Sequence, residues 1–213
     1  MVTKKKLIKV RDGEQTQKEL LDAVGAILGE QGFRGLKTGA IAKHIGKDKN
    51  LIRYYFENLE GLEKAYIAEK DYWPPFFERF QISAGSPKEE IERMFTELMQ
   101  ENFRFFFSNP EMQQIILWQI SEANPLLTRI SEQREMEGAK LLKLTDPFFE
   151  GTGISFRTIL ALLLGGIYYV VLHGRYNKST VSGIDVNKPE DREALLTTVS
   201  QVLGWAWRVA EKD

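Results

Sequence analysis

The chain has 213 residues and a formal net charge of −1, with 43% hydrophobic and 28% charged residues, a balance that suits a globular protein able to bury a core. It has no cysteine, which excludes disulfides, thiolate nucleophiles and thiolate-bound metals. The opening MVTKKKLIKVRDGEQ has charge with no apolar stretch behind it, so no secretory signal is expected and a cytoplasmic location is.

Hydrophobic periodicity is helical throughout, with no convincing alternating strand pattern. Leu20, Leu21, Val24, Ile27 and Leu28 share one face and predict a first helix over about 16–31, closed by Gly32 at the position where a positive φ is needed. A short helix follows over about 38–45, with Thr38 as its N-cap and Gly46 after its end. Asp48 is placed to cap a third helix over about 49–56. A fourth starts near Leu59 and is expected to end or kink at Trp73, before Pro74 and Pro75. Further helices are predicted over about 87–107, 110–121, 125–145, 154–175 and 189–211, four of them starting at or near Pro87, Pro110, Pro125 and Pro189. The polar stretch 176–188 reads as a loop. The expected fold is all-α, with about nine helices.

Within the 154–175 helix, Ile159 to Leu172 is the longest charge-free run. Its fourteen residues would rise about 21 Å against roughly 30 Å of bilayer hydrocarbon, so a buried core helix is expected and not a membrane span.

Charge is uneven along the chain. Residues 1–56 hold twelve Lys/Arg against six Asp/Glu, and residues 57–213 hold seventeen against twenty-four. A basic head on an acidic body points to a polyanion partner for the head, although Lys4, Lys5, Lys6 and Lys9 would also suit a solvated tail.

The stretch IAKHIGKDKNLIRYYF, residues 41–56, explains the charge best. Ile41, Ala42 and Ile45 on one short helix face Ile52, Tyr55 and Phe56 on the next, across a turn with a glycine, which is a helix-turn-helix arrangement. On a 100° wheel Lys49, Asn50, Arg53 and Tyr54 fall on the other side of the second helix. Two cations, an amide and a phenol are what base edges and phosphates take. The plainer alternative is a polar surface helix of an α-bundle.

Residues 18–62 resemble the DNA-binding domain of TetR-family transcriptional regulators. The resemblance rests on the amphipathic first helix, Gly32-Phe33, Ile41-Ala42, Gly46, the aromatic cluster ending at Phe56, and Leu62, in order and without a gap. This chain departs from the family in having Arg53 where a tyrosine is usual and Leu59 where a phosphate-binding lysine is frequent. The resemblance implies a helix-turn-helix DNA-binding domain over residues 1–58 and a ligand-binding and dimerisation domain over 59–213. It also implies a double-stranded DNA operator, a small-molecule effector, and a homodimer formed through the two C-terminal helices. Thr38 is expected on a phosphate by that resemblance. With it, Lys47 and Tyr55 are expected to hold the DNA backbone, while Lys49, Asn50, Arg53 and Tyr54 enter the major groove.

The body supports a partner surface independently. On the last helix the apolar arc, flanked by Trp205 and Trp207, spans about 200°, too wide for one-sided packing. Either a second subunit or a large monomer core must cover it. The middle helices are rich in aromatics and methionines, including Tyr72, Trp73, Phe76, Phe77, Phe106 and Met112. Phe103, Phe107, Trp118, Tyr169 and His173 are the candidate ligand-lining residues, with plain core as the alternative. Only His44 and His173 are present, with no HExxH motif, no EF-hand loop and no strand before the glycines of GTGISF. No catalysis, metal or cofactor is expected. The expected function is a ligand-responsive transcriptional regulator that represses until its ligand binds; the alternative is an all-helical carrier or adaptor that never uses the helix-turn-helix on DNA.

Overall fold

The computed structural model describes residues 2–210 apart from 72, 81 and 84, with side chains described from residue 13 onward. Tyr72 of the aromatic group and the side chains of Lys4, Lys5, Lys6 and Lys9 therefore lie outside the described residues. In chain order the helices are α1 (Val2–Gln31), α2 (Thr38–Ile45), α3 (Asn50–Phe56), α4 (Leu59–Lys70), α5 (Trp73–Arg79) and α6 (Lys88–Ser108). They continue with α7 (Pro110–Ser121), α8 (Pro125–Leu142), α9 (Asp146–Phe149), α10 (Phe156–Leu172) and α11 (Pro189–Ala210). Among the described residues the only β pairing is an isolated bridge between Val181 and Ile184, inside the predicted loop. The fold is all-α.

The chain forms two compact units. The first joins Met1–Asp71 to Pro110–Thr128. Its core is the predicted face of α1, with Leu20, Val24, Ile27 and Leu28 buried alongside Ile41, Ile52 and Leu62. Each such side chain contributes roughly 1.5–3 kcal/mol. α7 comes from later in the chain and docks on this unit at two places. Trp118 stacks on Phe33, ring centroids 6.1 Å apart and planes 4° apart. At the other place the Tyr66 hydroxyl donates to Glu111 Oε1 at 3.4 Å, and Lys70 Nζ lies 3.2 Å from Glu111 Oε2. Burial, then the Glu111 charge, pushes the Tyr66 phenol well above its usual range. Gly25 makes room here, since a Cβ on it would lie 3.1 Å from the Tyr66 hydroxyl and 3.2 Å from the Glu111 carboxylate.

The second unit holds Tyr72–Asn109 and Arg129–Asp213. α6 is its centre, packed on α10 and α11. Its Ile91, Phe95, Leu98 and Phe106 are buried at helical spacing. Trp207 of α11 is fully buried against Phe148, Phe149 and Phe156. Trp205, on the other flank of α11, is 53% exposed, and Leu162 on α10 is 71% exposed. Gly165 and Gly166, between Leu162 and the exposed Tyr169, have nothing within 4 Å of a built Cβ. Both C-terminal helices thus keep a bare apolar face. Phe156–Asn177 also has the length and mean hydropathy, 1.6, of a bilayer-crossing helix.

Several boundaries differ from expectation for local reasons. α1 reaches back to Val2 because nothing in 2–15 breaks a helix except Gly13, which costs only about 1 kcal/mol. The fourth helix stops at Lys70, and a separate α5 begins at Trp73, with Pro74 and Pro75 in the first turn, where their missing N–H groups cost nothing. α10 starts at Phe156 because the Ser155 hydroxyl accepts the Thr158 N–H at 3.3 Å, and it ends in a π-turn over His173–Asn177.

Candidate nucleic-acid interface

α2 and α3 are fixed from inside. Ile41 and Ala42 of α2 and Ile52 of α3 are buried, and α1 and α4 pack against them. The turn between them is made by Gly46, at φ 65° and ψ 28°, a left-handed conformation that glycine adopts without strain. Its N–H and that of Lys47 donate back to Ala42 and Lys43 carbonyls, satisfying the end of α2. Asp48 Oδ1 accepts the Asn50 N–H at 2.7 Å, so the one acid in this segment is engaged by the first turn of α3, although the cap position itself falls on Lys49. The sharp corner after α3 rests on Asn58, which accepts the Gly61 N–H at 2.8 Å. A Cβ on Gly61 would lie 2.0 Å from the Phe56 carbonyl oxygen, so only glycine fits.

The outward set is free to meet a partner. Lys49, Asn50, Arg53 and Tyr54 are all exposed. Tyr54 is 78% exposed and sits edge-on to Tyr55, with centroids 4.8 Å apart. Tyr55 is half-buried, with its hydroxyl beside Gly13 of α1. Thr38 is the first residue of α2, and the cap position falls on Lys37, so the expected capping role is corrected; the Thr38 side chain is exposed at the helix start. Lys47 turns back to α1, where it pairs with Glu19 and donates to the Thr16 hydroxyl at 3.2 Å. The hydrogen bond from Lys47 to Glu19, then one from Gln15, holds the Glu19 carboxyl below its ordinary 4.5. Residues 34–56 hold six Lys/Arg against Asp48 alone. Lys37, just before α2, and Lys43 on it are exposed as well and were not singled out as contacts from the sequence, and His44, expected to face solvent or a phosphate, is exposed. The surface is positive and offers donors, which is what a phosphate backbone requires.

Of the five candidate ligand residues, Phe103, Phe107, Tyr169 and His173 lie in the second unit and Trp118 in the first. Phe103 stacks on Phe107, centroids 6.3 Å apart, and Phe107 is covered by the guanidinium groups of Arg175 at 4.1 Å and Arg192 at 4.6 Å. Tyr169 stacks on His173, and His173 Nδ1 is 3.1 Å from Asn177 Nδ2. Trp118 belongs to the first unit, stacked on Phe33 as described. Among the described residues no group of three or more His, Asp or Glu could hold a metal ion.

The sequence matches no family model and no curated protein. Solved structures do match. Against the transcriptional regulator FadR from Bacillus subtilis, solved in complex with stearoyl-CoA, the TM-score is 0.59 at 17% identity, covering 87% of this chain and 96% of that one. The fatty acid degradation regulator FadR from Bacillus halodurans gives 0.60 at 17% identity, over 87% and 96%. A TetR family transcription regulator from Marinobacter aquaeolei VT8 gives 0.58 at 19% identity, over 91% and 97%. The chain has the TetR-family regulator fold. In TetR terms, residues 38–56 stand where the helix-turn-helix is expected, and the rest of the fold is the helical body. The sequence shows α7 as a helix, but not its docking on the first unit, which is made through contacts more than forty residues apart in the chain.

Proposed function

We propose that this chain is a ligand-responsive transcriptional regulator that binds a double-stranded DNA operator as a homodimer, with residues 1–58 reading DNA and residues 59–213 binding ligand and dimerising. The observation that carries the reading is α3, where Ile52 is buried while Lys49, Asn50, Arg53 and Tyr54 stand exposed beside the turn. Those four enter the major groove. Thr38 and Tyr55 hold the phosphates at the edges, and Lys47 joins them on exchanging Glu19 for a phosphate. The bare faces of α10 and α11 take a second copy, which sets two α3 helices about one DNA turn, roughly 34 Å, apart. A small apolar or amphipathic ligand in the body shifts the spacing of the heads and releases the operator, so the protein acts as a repressor.

The test is selection of bound fragments from host genomic DNA, followed by titration of the best fragment at several salt concentrations. Log K is expected to fall linearly with log salt, with a slope near −0.9 per phosphate contact. Arg53→Ala is expected to weaken the selected site by about 1–3 kcal/mol while the helical circular dichroism spectrum is unchanged. A chain that selects no DNA, or whose affinity ignores salt, is not a DNA-binding regulator.

A further inference from the structure

We propose that the seam between α5 and α6 is a binding cleft for an anionic amphiphile, an apolar chain ending in a carboxylate or phosphate. It gives a site and a ligand class to the ligand-responsive reading, on which its regulatory meaning rests. The cleft is an open groove of about 470 Å³. From α6 it takes Glu101, Arg104, Phe105 and Ser108, which at spacings of three, four and seven form one helix face. α5 supplies Pro75, Phe76 and Arg79 across from them.

Floor and rim differ in chemistry. Buried Phe76 and half-buried Phe105, with the Pro75 ring, make an apolar floor. At one end Arg79 spans the seam to Glu101 in a two-pronged bridge, Nη1 to Oε2 at 2.6 Å and Nη2 to Oε1 at 2.9 Å. That bridge occupies the one carboxylate in the lining. Arg104, exposed one turn further along α6, gives the rim an excess positive charge. The Ser108 hydroxyl donates to the Phe105 carbonyl at 3.1 Å, so the donors left for a headgroup are guanidinium N–H groups. A carboxylate or phosphate accepts from Arg104 and competes with Glu101 for Arg79. Arg79 also lies over the Phe80 ring at 5.4 Å, which keeps its guanidinium near the seam when Glu101 lets go. A neutral chain of the same length gains the floor and none of these contacts.

The experiment titrates the full chain, without DNA, with dodecanoate, dodecyl phosphate and dodecanol below their aggregation concentrations, by calorimetry. Tryptophan emission gives a second readout, because Trp73, one of four tryptophans, packs edge-on to Phe76 with centroids 6.1 Å apart. At least one anion is expected to bind saturably, one per chain and at least tenfold more tightly than dodecanol; which of the two does so names the headgroup. Arg104→Gln is expected to cut anion affinity at least tenfold, and Glu101→Gln, which frees Arg79, to raise it several-fold, neither moving dodecanol. The cleft is overturned by dodecanol binding as well as both anions, or by the two substitutions leaving anion affinity unchanged. Because no DNA is present, such a failure leaves the DNA-binding reading intact, and a failure to select DNA leaves the cleft standing.

Discussion

Glu63 is half-buried on α4, with its carboxyl pushed up from the ordinary 4.5 to about 7, first by burial and then by the charge of Glu60 beside it. Between those two values the folded chain keeps a proton that the unfolded chain has released, so this group's contribution is present below about pH 4.5 and is lost as pH rises through about 7. Glutamine resembles the protonated acid. Glu63→Gln is therefore expected to be more stable than the wild type in urea at pH 8, with the gap closing towards pH 4.5; an equal gap at both values removes the account. Such effects are hard to see in sequence because burial of a single side chain depends on the whole packing around it. The contact of Asp48 with the start of α3 was legible because its partner is two residues away. The Lys47–Glu19 pair, spanning twenty-eight residues, was not.

At the scale of elements, glycines separate into those that packing demands and those it does not. Gly29 lies exposed in α1, at ordinary helical φ, with nothing within 4 Å of an added Cβ. Gly29→Ala is expected to stabilise the chain by about 0.5–1 kcal/mol. Gly61 is the opposite case, against the Phe56 carbonyl at the end of α3. Gly61→Ala is expected to cost about 1–3 kcal/mol and to weaken operator binding by moving α3. Chemical unfolding of the two variants decides, and the same sign for both would show that the corner after α3 gives way freely. Helix starts and stops set by caps and prolines were readable, as Gly32, Gly46 and Pro189 show. The break after Lys70 was placed near the right residue, but Pro74 and Pro75 open a new helix from Trp73 as well as forbidding the old one to continue.

For the whole molecule, a lone chain leaves the apolar faces of α10 and α11 uncovered. The wide arc on the last helix was legible in the sequence, and Trp205 and Val209 stand exposed on it, with Leu162 and Tyr169 exposed on α10. Leu162→Glu with Trp205→Glu is expected to convert a dimer to a monomer in sedimentation equilibrium. The same pair of changes is expected to weaken operator binding at least a hundredfold, since two tethered heads bind with a high effective concentration. A double variant that still sediments as a dimer would put the subunit contact elsewhere.

α7 carries a practical consequence for anyone wishing to transplant the helix-turn-helix unit. The polypeptide passes between its two units three times, at 71–72, 109–110 and 128–129. An excised cassette ending after α4 would strip Phe33 and Tyr66 of Trp118 and Glu111, exposing ring faces that are now covered. Moving that unit by gene fusion therefore calls for two inserted segments, the second being Pro110–Thr128, and a chimaera spliced at a single junction would inherit a frayed unit.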